Sequence, residues 1–285
     1  MNYSVFYHHA SCAAQEWGCT MDEMFDQLYR WGIRYIELDR DTLGGNEESI
    51  MELSRLMGRH GLKPSSIYGF FSWEQDGPMP EKDDLLIRQA KLLGCERVMV
   101  IPGFYSDLRD PARCAWEKAR MIEGTRRMTE LAAAQGLTVT IECFDHEKSP
   151  IATIGGMAEF LEGAPLLRVT LETGNFRFSG DDILQAQQLF RDKVRHVHLK
   201  DRYLPALAKG GKPENVLVGE AVTAATGEIM HACPVGQGHI PMGKVLDELK
   251  AWGYGGIMTI EHFGAASYAD AIRESMAWLK NWENA

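Results

Sequence analysis

Residues 137–142 read LTVTIE, residues 167–172 LRVTLE, residues 194–199 VRHVHL and residues 257–261 IMTIE. Each is a short run rich in β-branched residues, and three of the four end in a glutamate. Runs of this length and composition read as strands of a buried parallel sheet. Between them lie amphipathic stretches at 153–163, 181–190 and 241–252, so strand and helix alternate. The same alternation continues towards the N-terminus. It predicts strands at 3–8, 33–38, 65–71 and 97–101 and helices at 20–31, 46–60, 81–94 and 112–135, with a last helix at 267–283. Some boundaries are punctuated: Thr20 stands three residues before Glu23, the spacing of a capping box, and Gly32 ends the run.

Eight strand–helix units fill all 285 residues with no spare linker. That predicts an α/β fold with one domain over residues 1–285, a single (β/α)₈ TIM barrel rather than a doubly wound sheet. One stretch departs from the pattern. Residues 203–239 make a long loop insertion after strand seven, rich in Gly, Pro and Ala. On that side of a barrel a long loop serves as a lid, part of a substrate pocket, or an oligomer contact.

Hydrophobic residues make up 45% of the chain and charged residues 25%, the balance of an ordinary globular protein. Forty acids against 30 bases leave a net charge of −10, and no Lys/Arg run builds a basic groove. Nucleic acid and anionic membranes are therefore poor partners. The six cysteines show no CxxC pair, which points to reduced thiols. The N-terminus lacks the pattern of a signal peptide, and no apolar stretch reaches membrane-spanning length. A cytoplasmic enzyme is the expectation.

In a barrel, catalytic groups project from the C-terminal ends of the strands. Glu142, Glu172 and Glu261 end strands five, six and eight, and strand seven carries His196 and His198 on one face. Several like charges at a barrel mouth are costly unless a cation compensates them. Carboxylate oxygens plus an imidazole form a hard, mixed site suited to Mn²⁺ or Mg²⁺, with Co²⁺ or Zn²⁺ as alternatives. Glu142, Glu172, His198 and Glu261 are the expected ligands. Lys200 shares the face of the two histidines and can reach a substrate oxygen or carboxylate. His196 either orients a ligand or fills the core. His8, at the end of strand one, and Trp73, among the aromatics after strand three, are candidate substrate contacts.

The pieces TIECF (140–144), LETGNF (171–176), HVHLKDR (196–202) and VGQGHIPMGKVLDELKAWGYGGIMTIEHF (235–263) carry a specific resemblance. Over essentially the full chain the sequence resembles the sugar phosphate isomerase/epimerase superfamily, the xylose isomerase-like barrels. That resemblance implies metal ligands at Glu142, Glu172, His198 and Glu261, with Glu142 and Glu261 also acting as the acid/base pair. It implies proton transfer next to a carbonyl, with a divalent ion stabilising the enediolate. Epimerisation, aldose–ketose isomerisation and loss of a β-hydroxyl are three fates of that species. The implied partner is a small sugar, keto-sugar, sugar phosphate or cyclitol, and homo-oligomers are common in the family.

The chain departs from the family pattern at identifiable places. Glu172 stands where the family carries Asp. Asn175 stands where ketose 3-epimerases have His, Lys148 where they have Glu, and Leu204 where they have Arg, with Arg202 two residues nearer. Asn175, Lys200 and Arg202 are thus the expected substrate contacts, and His-Leu-Lys-Asp resembles the inosose dehydratase branch. An inosose dehydratase-like lyase is the nearest rival reading, and a non-catalytic sugar-binding barrel is a rival of another class. A nuclease of the endonuclease IV type would need a larger zinc cluster and a basic face.

Overall fold

The computed structural model describes residues 1–77, 84–208 and 216–285. Eight parallel strands close into a barrel: β1 (Asn2–Phe6), β2 (Tyr35–Asp39), β3 (Lys63–Phe70), β4 (Arg97–Ile101), β5 (Thr138–Ile141), β6 (Arg168–Glu172), β7 (Val194–Leu199) and β11 (Ile257–Ile260). β11 pairs with both β1 and β7, so the ring has no free edge. The remaining strands, β8 (Asp201–Tyr203), β9 (Ala221–Thr223) and β10 (Ile229–Cys233), form a separate antiparallel sheet with β10 in the middle.

Two expected strands, 97–101 and 194–199, coincide with β4 and β7 in full. Thr20 accepts from the Glu23 backbone N–H and the Glu23 carboxylate accepts from the Thr20 N–H, so the expected capping box forms at the head of Met21–Trp31. The helix expected at 81–94 runs Leu85–Leu93; its positions 81–83, and residues 209–215 of the long loop, lie outside the described residues.

Two expectations are corrected. Strand one stops at Phe6, and a helix, Tyr7–Trp17, takes over where the strand was expected to continue to His8. Its buried face is His9, Ala10, Ala13 and Ala14. Small residues and histidines carry little hydrophobic signal, so the periodicity was faint. The 203–239 segment, expected as loop, contains β9 and β10.

Asp201 ties that segment to the barrel. One carboxylate oxygen accepts from the N–H groups of Gly236 and Gly238 and the other from those of Arg202 and Ile240, at 2.8–3.1 Å. A side chain on Gly238 would run into that carboxylate, and one on Gly236, whose φ is +84°, would run into the Trp278 ring, so both positions of the Gly-x-Gly pair need glycine. Burial pushes the Asp201 carboxyl up to about 6 against the pull of these four hydrogen bonds.

The apolar core lies between the strands and the surrounding helices, from Val5 and Ile36 round to Val197 and Ile260. The inside of the barrel is different. Ser4, Glu37, Ser66, Thr140, Thr170, His196, His198 and Thr259 are all fully enclosed. An interior this polar persists only where hydrogen bonds satisfy it. The Thr170 hydroxyl donates to that of Thr140 at 2.8 Å, for example, and the Ser4 and Ser65 hydroxyls lie 2.9 Å apart.

Candidate metal and proton-transfer site

Strand alternation brings Glu142, Glu172, His198, Lys200 and Glu261 to the C-terminal mouth. Glu142 and Glu261 each stand one residue beyond their strands, and Glu172 pairs in register with His198. All five side chains are at least nine-tenths buried. His198 Nδ1 lies 2.7 Å from Glu142 Oε2 and 3.3 Å from Glu261 Oε2. None of these three buried atoms makes a well-formed hydrogen bond. Together they form a cluster whose ligand atoms lie within 4.8 Å of one another, close enough to share one ion.

The electrostatics separate the two glutamates. Burial, reinforced by Glu261, pushes Glu142 up to about 7 in spite of His198. Glu261 lies well below the usual carboxylate range, because Lys200 and His198 outweigh its burial. Lys200 Nζ sits 2.8 Å from Glu261 Oε1 and donates to Asn175 Oδ1 at 2.8 Å. Burial would lower His198, but Glu37 and Glu142 hold it well above the usual imidazole range. Two carboxyls driven apart in this way are suited to opposite halves of a proton transfer.

Glu172 behaves otherwise. Its carboxylate folds back and accepts the N–H of Gly174 at 3.0 Å and the N–H of Asn175. The cluster of Glu142, His198 and Glu261 does not include it. Burial, with Glu261 and Glu142 nearby, holds its carboxyl far above the ordinary range despite Lys200.

The mouth holds a cavity of about 250 Å³ with a mixed lining. Glu142, Asp145, Asn175, Lys200 and Glu261 are its polar lining; Phe6, Tyr68, Phe70, Met99, Ile101, Phe144 and Phe263 are its apolar lining. A larger groove, about 590 Å³, opens outside the barrel beside Ile87 and Leu131 but contains none of the strand-end residues.

Of the expected substrate contacts, Asn175 and Lys200 line the cavity. Arg202 is buried beside it, paired with Asp145, which also accepts from Lys200 at 3.4 Å. His8 sits in the first turn of its helix, its ring 5.4 Å from that of the cavity residue Phe263, at the rim rather than in the wall. Trp73 is placed elsewhere: it stacks on Phe71 at 4.4 Å and packs so closely on Gly124 that a Cβ there would clash. The ring is buried there and does not line the cavity. His196 lies below the mouth, its Nε2 2.9 Å from Glu37 and 3.0 Å from Thr259.

Sequence reading missed Glu37, Asp145, Phe6, Phe144 and Phe263. The last two had a signal, since each stands two residues beyond a strand-end glutamate and alternation carries it to the same side. Glu37, in YIELD, is a carboxylate within an apolar strand, a costly placement that marks a buried partner.

A family model described as a xylose isomerase-like TIM barrel matches residues 15–282. An inosose dehydratase of Geobacillus thermodenitrificans is 29% identical over 143 residues, which span half of this chain and 45% of that protein. Two solved structures resemble the chain over nearly its whole length. One is the 3-keto-D-glucoside 4-epimerase YcjR of E. coli (18% identity, TM-score 0.67, 99% of both chains). The other is the IOLI protein with a bound zinc atom (16% identity, TM-score 0.69, 99% of this chain and 96% of that one). Identities this low establish the fold alone. Among the described residues no helix is long and apolar enough to cross a membrane.

Proposed function

The chain belongs to the xylose isomerase-like TIM-barrel family, and from that premise we propose that it is a divalent-metal-dependent isomerase or epimerase of a sugar or cyclitol. The observation that carries this reading is the convergence of Glu142 Oε2, His198 Nδ1 and Glu261 Oε2, three buried atoms without hydrogen-bond partners. Such atoms are costly to bury unless a ligand completes them. The donor set fits Mn²⁺ or Mg²⁺, and Co²⁺ or Zn²⁺. Glu142, His198 and Glu261 would hold the ion, with Glu172 as a fourth ligand if its carboxylate leaves the Gly174–Asn175 turn. The bound ion would supply charge stabilisation for a substrate oxygen beside the reacting carbon.

The chain's own groups do the rest. Glu142, raised towards neutrality, and Glu261, kept ionised, are the pair that removes and returns the proton. Lys200 and Asn175 present donors from the polar lining, where they hold a substrate oxygen. The aromatic lining stacks on the C–H face of a ring and excludes water. Lys200 is the cavity's one lining cation among the described residues, and it is engaged by Glu261, Asp145 and Asn175. That favours a neutral ring over a phosphorylated substrate. A proton can be removed next to a carbonyl on an intact ring only if a ring hydroxyl has been oxidised, so an upstream alcohol dehydrogenation would supply the substrate.

A dehydratase is the second reading, and the partial match to an inosose dehydratase favours it. It shares the proton-removal step and differs in losing a β-hydroxyl. Solvent deuterium exchange followed by NMR over inososes, 3-keto-glycosides, free ketoses and sugar phosphates tests both. Deuterium in a recovered or epimerised ring ketone supports the first reading, and an enone product the second. No exchange with any of them in metal-saturated protein would refute enediolate chemistry at this site.

A further inference from the structure

Beneath the cluster at the mouth lies a second carboxylate–histidine group. Glu37 Oε2 is 2.9 Å from His196 Nε2 and 3.1 Å from His198 Nε2, and it accepts the Thr259 hydroxyl at 2.6 Å. Every member is fully enclosed. The four come from three strands: Glu37 from β2, both histidines from β7 and Thr259 from β11. All three donors converge on one oxygen. That is the geometry of hydrogen bonds, whereas the ligands of an ion would converge on an empty point between them.

We propose that Glu37 is the positioning residue of the site: it accepts a hydrogen bond from the Nε2–H of His198 and thereby leaves Nδ1 as the nitrogen offered to Glu142, Glu261 and the ion they share. The proposal rests on the metal reading above. A neutral imidazole carries one proton, and the partner of one nitrogen decides which tautomer forms. With Glu37 accepting at Nε2, the lone pair stays on Nδ1, the nitrogen that faces the two upper glutamates. The anionic partner also makes that nitrogen a stronger donor to a cation. His196 and Thr259 hold the Glu37 oxygen in place, so the imidazole plane is fixed from below before any ligand arrives.

Glu37→Gln keeps the side-chain size but replaces a carboxylate by an amide with one accepting oxygen and no charge. MnCl₂ titrations of the full chain, read by calorimetry and by the EPR signal of free Mn²⁺, give affinity and stoichiometry. The expectation is one ion per wild-type chain and an affinity about 10- to 100-fold weaker in Glu37→Gln, the range found when partners of metal-bound histidines are removed. A merely structural Glu37 would lower the melting temperature of the variant and leave its affinity unchanged, which overturns the proposal. Two ions per wild-type chain, one of them lost in Glu37→Gln, would make Glu37 a ligand and overturn it too. Should Glu37→Gln fail to fold, ¹⁵N-histidine spectra of the Zn²⁺-loaded wild type decide: His198 must carry its proton on Nε2, and a proton on Nδ1 overturns the assignment. Wild-type protein that binds no ion would sink the functional reading itself, an outcome distinct from equal binding by wild type and variant.

Discussion

Two tiers of the barrel interior use nearly the same residue types to opposite effect. In the lower tier, Glu37 collects His196 Nε2, His198 Nε2 and the Thr259 hydroxyl on one oxygen. In the upper tier, Glu142, Glu261 and the other face of His198 approach within about 3 Å, yet Glu142 Oε2, His198 Nδ1 and Glu261 Oε2 remain without hydrogen-bond partners. The lower tier is gathered on one protein oxygen, with Glu37 Oε1 and His196 Nδ1 left over; in the upper one, unmatched atoms of three residues face one another closely enough to share a ligand. His198 belongs to both, one nitrogen in each. A ligand site is therefore marked by unmatched polar atoms that converge, more than by any one buried atom being left unmatched.

The sharpest break in the comparison lies in the upper tier. Glu142→Gln and Glu261→Gln should each cut solvent deuterium exchange by roughly 100-fold or more, the usual worth of a general acid or base. The two should differ in stability: Glu142→Gln removes a carboxyl that burial disfavours, so the melting temperature of the metal-free protein should hold or rise, whereas Glu261→Gln leaves Lys200 without its ionised partner and should lower it. Retained exchange in both variants would remove these residues from the acid/base roles.

Chelation tests the same tier without mutation. An ion present at 100 times its Kd stabilises the folded state by about 2.7 kcal/mol. Stripping it with EDTA should lower Tm by several degrees, roughly 5–10 °C for a chain of this size. An unchanged melting curve would mean that Glu142, His198 and Glu261 complete one another and need no ion.

The smallest expected effect belongs to the lower tier. Thr259→Val removes one of the three donors to Glu37 while keeping the shape, and it should cost about 1 kcal/mol of stability. Denaturant midpoints would show it. A loss as large as that from Glu37→Gln would mean that Thr259, rather than the histidine pair, anchors the carboxylate.

Much of this was legible in the chain itself. The strands LTVTIE, LRVTLE and IMTIE combine β-branched runs with terminal carboxylates, a local pattern that needs no knowledge of the partner strands. Alternation placed His196, His198 and Lys200 on one face, as β7 does. Positions that depend on distant packing were harder to read. The Tyr7–Trp17 helix buries alanines and a histidine, which carry little periodic signal. Trp73 stood among the right aromatics, but its direction was set by the close approach of Gly124, 51 residues away.

By itself, then, the sequence determined the alternation of strands and helices, the family resemblance, and which strand ends carry carboxylates, because these depend on spacing within a few residues. Only the tertiary structure decided that Glu37 shares His198 with Glu142 and Glu261, that Glu172 turns back on its own backbone, and that Phe6 and Phe263 wall the cavity. Those facts rest on pairings between residues more than fifty positions apart, or on one side chain's choice between two sets of donors. Closure of the barrel settles both, since it fixes which groups meet inside the ring and which are left without a partner.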